Sequence, residues 1–387
     1  MGDSFGLIVF GLVLAARLLL PLTIFTFPLP GILACLVLDA ADQTIFQQFT
    51  TLDLSGYQSY DKALDIFYLA MAYLAMLRNW RQPGAFAIAR VLLYYRLVGV
   101  SLFELGGADH RALLLLFPNT FEYFFIAYEV VRTRWDPLRV STRAWVITAA
   151  VIWVVVKLPQ EYWVHVAQLD TTDVVGEHPW VGGVMGLGIV AVLLVFWYGV
   201  RPRLRAPDHG LGLPADPVPA NMRHRAQRNA ALVKRGRVFD LRLLEKVVLI
   251  SFVTMIFASI IPSITATPLD IMWSSAVLVA INSAIGLYRA RRGLGYDDLL
   301  LSFFALAATN TALVLVADML RPRAHIDVSS TLFFVLMLTL IATLYDRYRP
   351  VHDVLRAAAT SPGAHGTSSV AGGPRGTERG SPATSEG

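Results

Sequence analysis

The chain has 387 residues, of which 55% are hydrophobic and only 16% charged, and it carries a formal net charge of +5. A water-soluble domain of this length would carry nearer a quarter charged residues, so the composition excludes an ordinary soluble enzyme. The excess of positive charge lies in alternate loops, which points to membrane orientation rather than to nucleic acid.

One spanning helix needs about 20 apolar residues. Runs of that length fall at 5–27, 29–48, 61–77, 84–105, 112–131, 144–165, 180–200, 242–262, 269–288, 297–318 and 330–346. The expected fold is therefore an all-α, polytopic transmembrane helical bundle of about 11 spans. The first run lacks a basic leader and is too long for a signal-peptide core, so it reads as a helix that is retained. Phe27-Pro28-Leu29-Pro30-Gly31 then interrupts an almost unbroken apolar stretch. Two prolines and a glycine do not fit a straight helix interior, so a tight turn between two helices is expected. The alternative is one tilted helix with a re-entrant piece, giving 10 spans. Arg17 lies mid-way along the first run and needs an acid, a carbonyl or water. Cys35 is the lone cysteine, which rules out an internal disulfide.

Two aspartate pairs follow. Asp39 and Asp42 are three apart near the end of the second run; Asp61 and Asp65 are four apart at the start of the third. Each pair shares a helical face. A short connection joins the two helix ends, so all four carboxylates can converge. Such a group repels itself unless it holds a cation or protons, or has Lys62 and Arg17 beside it. All-oxygen ligands suit a divalent cation such as Mg or Mn.

The fourth and fifth runs carry buried charge. Paired positions across an antiparallel hairpin keep a nearly constant index sum, which predicts the pairs Arg96–Glu122 and Arg90–Glu129, with Glu104 and Arg111 flanking the turn. Arg90 or Arg96 is the candidate anchor for an anionic substrate. At the end of the sixth run, Glu161, His165 and Gln168 share a face beside Lys157, with Tyr162 and Trp163 suited to the interfacial belt. Glu161 and His165 are candidate substrate-binding groups. Further on, Asn282, Asn310 and Thr309 read as inter-helix hydrogen bonders.

The loop at 201–241 is expected to be irregular in its first half and a basic helix, 221–246, in its second, resting on anionic lipid headgroups. Basic residues number 22 in one set of alternate loops and 5 in the other. The positive-inside rule then places the C-terminus in the cytoplasm and the N-terminus outside, in the cell membrane. Residues 1–349 form the transmembrane domain. Residues 350–387 read as a disordered cytoplasmic tail, because their Ser, Gly, Pro and Ala cannot bury enough apolar area.

The aspartate stretch resembles two families. Asp39, Asp42, Gly56, Asp61 and Asp65 are similar to the aspartate motif of the CDP-alcohol phosphatidyltransferases, with Gln43 and Phe46-Gln47 where that motif has Gly and Ala-Arg. Asp42, Phe46 and Gly56-Tyr57-Gln58-Ser59-Tyr60-Asp61 resemble the early loop of polyprenyl-phosphate-dependent glycosyltransferases of the C-type membrane fold, without its following Tyr-Pro-Pro. The second resemblance implies an extracytoplasmic site in which a carboxylate, here Asp42, acts as general base on a lipid-linked substrate. No nucleotide-binding loop, serine-hydrolase elbow, zinc-protease or dinucleotide motif is present. Three readings stay open: an enzyme acting on a lipid-linked substrate, a cation-coupled or small-solute transporter, and a non-catalytic scaffold.

Overall fold

The computed structural model describes residues 2–50, 57–106, 112–163, 167, 171–235, 239–259, 267–319 and 328–360. These residues form helices and connections and contain no strand. Among the described residues, four helical stretches are long and apolar enough to cross a membrane: Ser4–Phe25, Pro83–Gly106, Thr142–Glu161 and Pro268–Arg291. Large apolar side chains such as Leu12, Val155, Leu187, Trp273 and Phe304 are more than half exposed along the helices, a surface that suits lipid and not water.

Helix α1 (Gly2–Leu19) tightens into a 3-10 segment (Leu20–Phe25), turns at Thr26-Phe27, and is followed by α2 (Pro28–Phe49). This is the expected tight turn. Pro28 opens α2, where its missing N–H costs nothing. Gly31 lets the turn close, since a β-carbon there would sit 2.8 Å from the Ile24 nitrogen.

Helix α3 (Tyr57–Asn79) is the centre of the bundle. Every residue from Ile66 to Leu77 is buried, on all faces, as an element with no polar stripe requires. It is wrapped by α1, α2, α4 (Pro83–Gly106), α6 (Thr120–Arg132), α12 (Leu241–Ser259) and α15 (Val328–Thr360). Between α4 and α6 lies the short α5 (Ala112–Leu116). A β-carbon at Gly99 of α4 would collide with the Phe117 side chain. Gly99→Ala is expected to cost about 1–3 kcal/mol by overpacking, read as a lower unfolding temperature.

The remaining helices are α7 (Thr142–Val151), continued by a π-helical stretch (Ile152–Lys157) into α8 (Leu158–Glu161), then α9 (Thr171–Glu177), α10 (Pro179–Leu194), α11 (Arg225–Arg235), α13 (Pro268–Arg291) and α14 (Leu299–Met319). The basic connections gather at one end. Ala215 N–H bonds the Thr26 carbonyl, Arg81 pairs with Asp216, and Gly212 N–H bonds the Thr133 carbonyl. The first half of the 201–241 connection, expected to be irregular, is thus stitched to its neighbours. Asp208 accepts the Asp136 N–H at 3.0 Å and pairs with Arg139 at 2.6 Å, and this hydrogen bond and charge hold its carboxyl below the usual range.

Three expectations are corrected. The expected basic helix over 221–246 is divided, because the Asp240 carboxylate accepts the N–H groups of Arg242 and Leu243 and starts α12 afresh. The expected fifth run, 112–131, is broken at Phe117-Pro118-Asn119. The last helix does not stop near 346 but continues through Pro350 to Thr360. Burial of Val351 and stacking of His352 on Phe86 stabilise that extension, so only 361–387 of the expected tail lie outside the described residues.

Candidate functional site: an aspartate cluster on a buried arginine

The turn at Thr26-Phe27 folds α2 back along α1 and sets Arg17 opposite Asp39 and Asp42. The first turns of α3 bring Asp61 and Asp65 to the same guanidinium. Its Nη2 lies 2.6 Å from Asp39 and 3.1 Å from Asp65; its Nη1 bonds Asp42 and lies 3.2 Å from Asp61. The four aspartates converge, as their spacing predicts, and Arg17 supplies the partner that neither residue pair contains.

The four carboxylates differ in exposure. The Asp42 side chain is fully buried against Arg17, itself 3% exposed, while Asp39, Asp61 and Asp65 keep 24%, 32% and 16% of their side-chain surface. Oxygens of those three lie within 4.8 Å of one another. At an effective dielectric of about 20, each such pair of negative charges repels by roughly 3–4 kcal/mol. One guanidinium does not neutralise four carboxylates. Lys62, buried over the Phe103 ring at 4.4 Å, adds a second positive charge within range of Asp61, Asp65 and Glu104. Bound protons or a cation would balance the charge that remains. Three side chains of the cluster, part-exposed, each offer a carboxylate oxygen of the type that suits an oxygen-seeking divalent cation.

A second polar group adjoins the first along α3. Tyr68 lies one turn from Asp65 and donates to Glu122. Glu122, 3% exposed, also accepts from the Asn119 amide at 2.9 Å and faces Lys157 at 3.9 Å. Glu161 accepts the Asn119 N–H at 3.1 Å. Lys157, in the π-helical stretch, lies 4.1 Å from the Tyr123 ring. This group is built on the break between α5 and α6. Pro118 disfavours helical backbone at Phe117, so α5 stops at Leu116 and its last carbonyls have no N–H partner within the helix. Tyr95 donates to the Leu116 carbonyl at 2.8 Å and Arg96 to the Phe117 carbonyl at 2.9 Å.

The expected hairpin pairs are therefore replaced. Helices α4 and α6 do pack together, but Arg96 serves the broken helix instead of Glu122. Glu129 is held by Trp80 Nε1 at 2.8 Å and by Arg132 at 2.5 Å, not by Arg90. Arg90 lies 3.8 Å from Glu245, and its side chain is 40% exposed. A constant index sum holds only where the fifth helix is unbroken and the two helices stand alone. Asn119, Tyr68 and Glu245 were not singled out in the sequence, although Pro118 marks the break that makes Asn119 useful. His165, Gln168 and Arg111 lie outside the described residues.

Comparison with known protein families, with characterised proteins and with solved structures finds no match to this chain.

Proposed function

We propose that the chain is a multi-pass protein of the cell membrane that acts as an enzyme on a lipid-linked substrate of polyprenyl-phosphate or glycolipid type. In this reading Asp39, Asp61 and Asp65 hold a divalent cation, Mg or Mn. Asp42, locked to Arg17, is a positioning residue and not the base that the sequence resemblance implies, because a fully buried, ion-paired carboxylate has no access to an acceptor hydroxyl. Glu122 and Glu161, buried on Asn119, brace the adjoining group rather than meet the substrate. The observation that carries the proposal is the gathering of three part-exposed aspartates beside a buried Arg17–Asp42 pair. The eleven apolar runs and the gathering of basic connections at the opposite end support about 11 spans, with the N-terminus and the aspartates outside and the C-terminus in the cytoplasm.

A transporter is the second reading, favoured by the broken helix. Non-helical backbone at membrane depth is stable only inside protein or along a water-filled path, and discontinuous helices frame the ion sites of many transporters.

One pair of measurements separates the two. Native mass spectrometry of the purified chain with a polyprenyl phosphate is expected to show lipid binding that strengthens with Mg and weakens in Asp61→Asn. Uptake of Mn into proteoliposomes without such binding would replace the enzyme by the transporter. Absence of both would leave the scaffold.

A further inference from the structure

At the basic end, α11, α12, α13 and the C-terminal half of α15 enclose a cavity of about 260 Å³. Seven of its lining residues are basic and two acidic. Some of these charges are already matched: Lys246 bonds both oxygens of Asp346 at 2.8 and 2.9 Å, and Arg242 pairs with Asp353 at 2.9 Å. Others are not. Arg289 lies against the Tyr296 ring, and Arg347 gives one bond, at 3.1 Å, to the Asp297 carbonyl. Neither is tied to a carboxylate among the described residues.

The second observation lies deeper. Asn282 is 3% exposed and lines the cavity about two and a half turns inward from the basic end of α13. Both its amide nitrogen and its amide oxygen lack a hydrogen-bond partner among the described residues. Asn310, on the next helix, is half matched: its amide nitrogen donates to Thr339 Oγ1 at 2.8 Å, and only its oxygen lacks a partner among the described residues. A buried amide left without a partner costs about 1–3 kcal/mol, so an unmatched one facing a basic cavity points to a ligand.

We infer that this cavity binds a phosphate-bearing anion, with the Asn282 amide donating to it at the inner end and Arg289 and Arg347 closing on it from the rim. Guanidinium forks match phosphate oxygens with two parallel bonds. Ile285, Leu299 and Leu306 form an apolar wall of the same cavity, which suits the glycerol end of a lipid headgroup as well as a free phosphorylated solute. This site stands apart from the aspartate cluster and does not depend on the function proposed for it.

The test is thermal unfolding of the full chain in phosphatidylcholine nanodiscs, with phosphatidylglycerol in the bilayer or with inorganic pyrophosphate in solution. At least one probe is expected to raise the unfolding temperature by several degrees; which one does so identifies the lipid or the soluble source. The gain should vanish in Asn282→Leu, which removes no existing bond and so should fold, and should shrink in Arg289→Gln. A gain that survives intact in both variants is surface charge only and overturns the inference, as does no gain from either probe.

Discussion

Arg17→Met is expected to be the most damaging single substitution in the chain. Methionine fills much of the same space but removes both nitrogens that hold Asp39, Asp42, Asp61 and Asp65. Four carboxylates would then face each other with only Lys62 nearby. Removing one partner of a buried ion pair costs about 3–5 kcal/mol, and here one cation serves four anions. That is a large share of the stability of an ordinary domain. Thermal unfolding in detergent should show a loss of many degrees or failure to accumulate folded protein. Arg17→Lys should lose less, since it keeps the charge but not the fork. Asp42→Asn combined with Arg17→Met should recover part of the loss by removing the most deeply buried anion. An Arg17→Met protein that unfolds at the parent temperature would show that the cluster is not held as described.

The second large effect is expected at Glu245, near the start of α12. Its carboxylate accepts from the Tyr73 hydroxyl of α3 and from Arg349 of α15 at 2.7 Å, and Arg90 of α4 lies 3.8 Å away. Its backbone carbonyl accepts from Tyr94 at 3.0 Å. Four helices therefore meet on one residue whose side chain is 8% exposed. Glu245→Ala removes the carboxylate that accepts from Tyr73 and leaves Arg349 with the more distant Asp353. The expected cost is about 3 kcal/mol. Glu245→Gln keeps an acceptor for Tyr73 and should lose about half as much. Equal loss in the two variants would mean that packing, not the charge, is what Glu245 contributes.

Features that depend on near neighbours were legible in the sequence. Pro28 and Pro30 mark the first turn because a proline ring cannot continue a helix. Spacings of three and four put Asp39 with Asp42 and Asp61 with Asp65 on common faces, and a short connection brings the pairs together. Arg17 was recognised as needing a partner, and the hairpin that pairs α1 with α2 delivers four. Features that depend on several helices at once were not legible. The apolar run Leu113 to Phe117 masks the break at Pro118, since hydropathy alone does not register a missing N–H. Arg96 and Glu122 have compatible depths on paper, but the freed Phe117 carbonyl captures Arg96 first. The Glu245 hub joins positions far apart in the chain, so no local pattern announces it. Helix α15 outruns its proline because packing of Val351 and His352 outweighs the local preference to stop.

In the proposed function, Asp39, Asp61 and Asp65 form a cation site braced by Arg17 and Asp42. Manganese binding to the purified full chain in nanodiscs, followed by electron paramagnetic resonance, tests it most directly. One bound ion per chain is predicted, weakened at least tenfold in Asp61→Asn and in Asp65→Asn, and unchanged in Asp208→Asn at the opposite end of the bundle. Binding of equal strength in the parent, Asp61→Asn and Asp65→Asn proteins, or no binding by the parent, would contradict it.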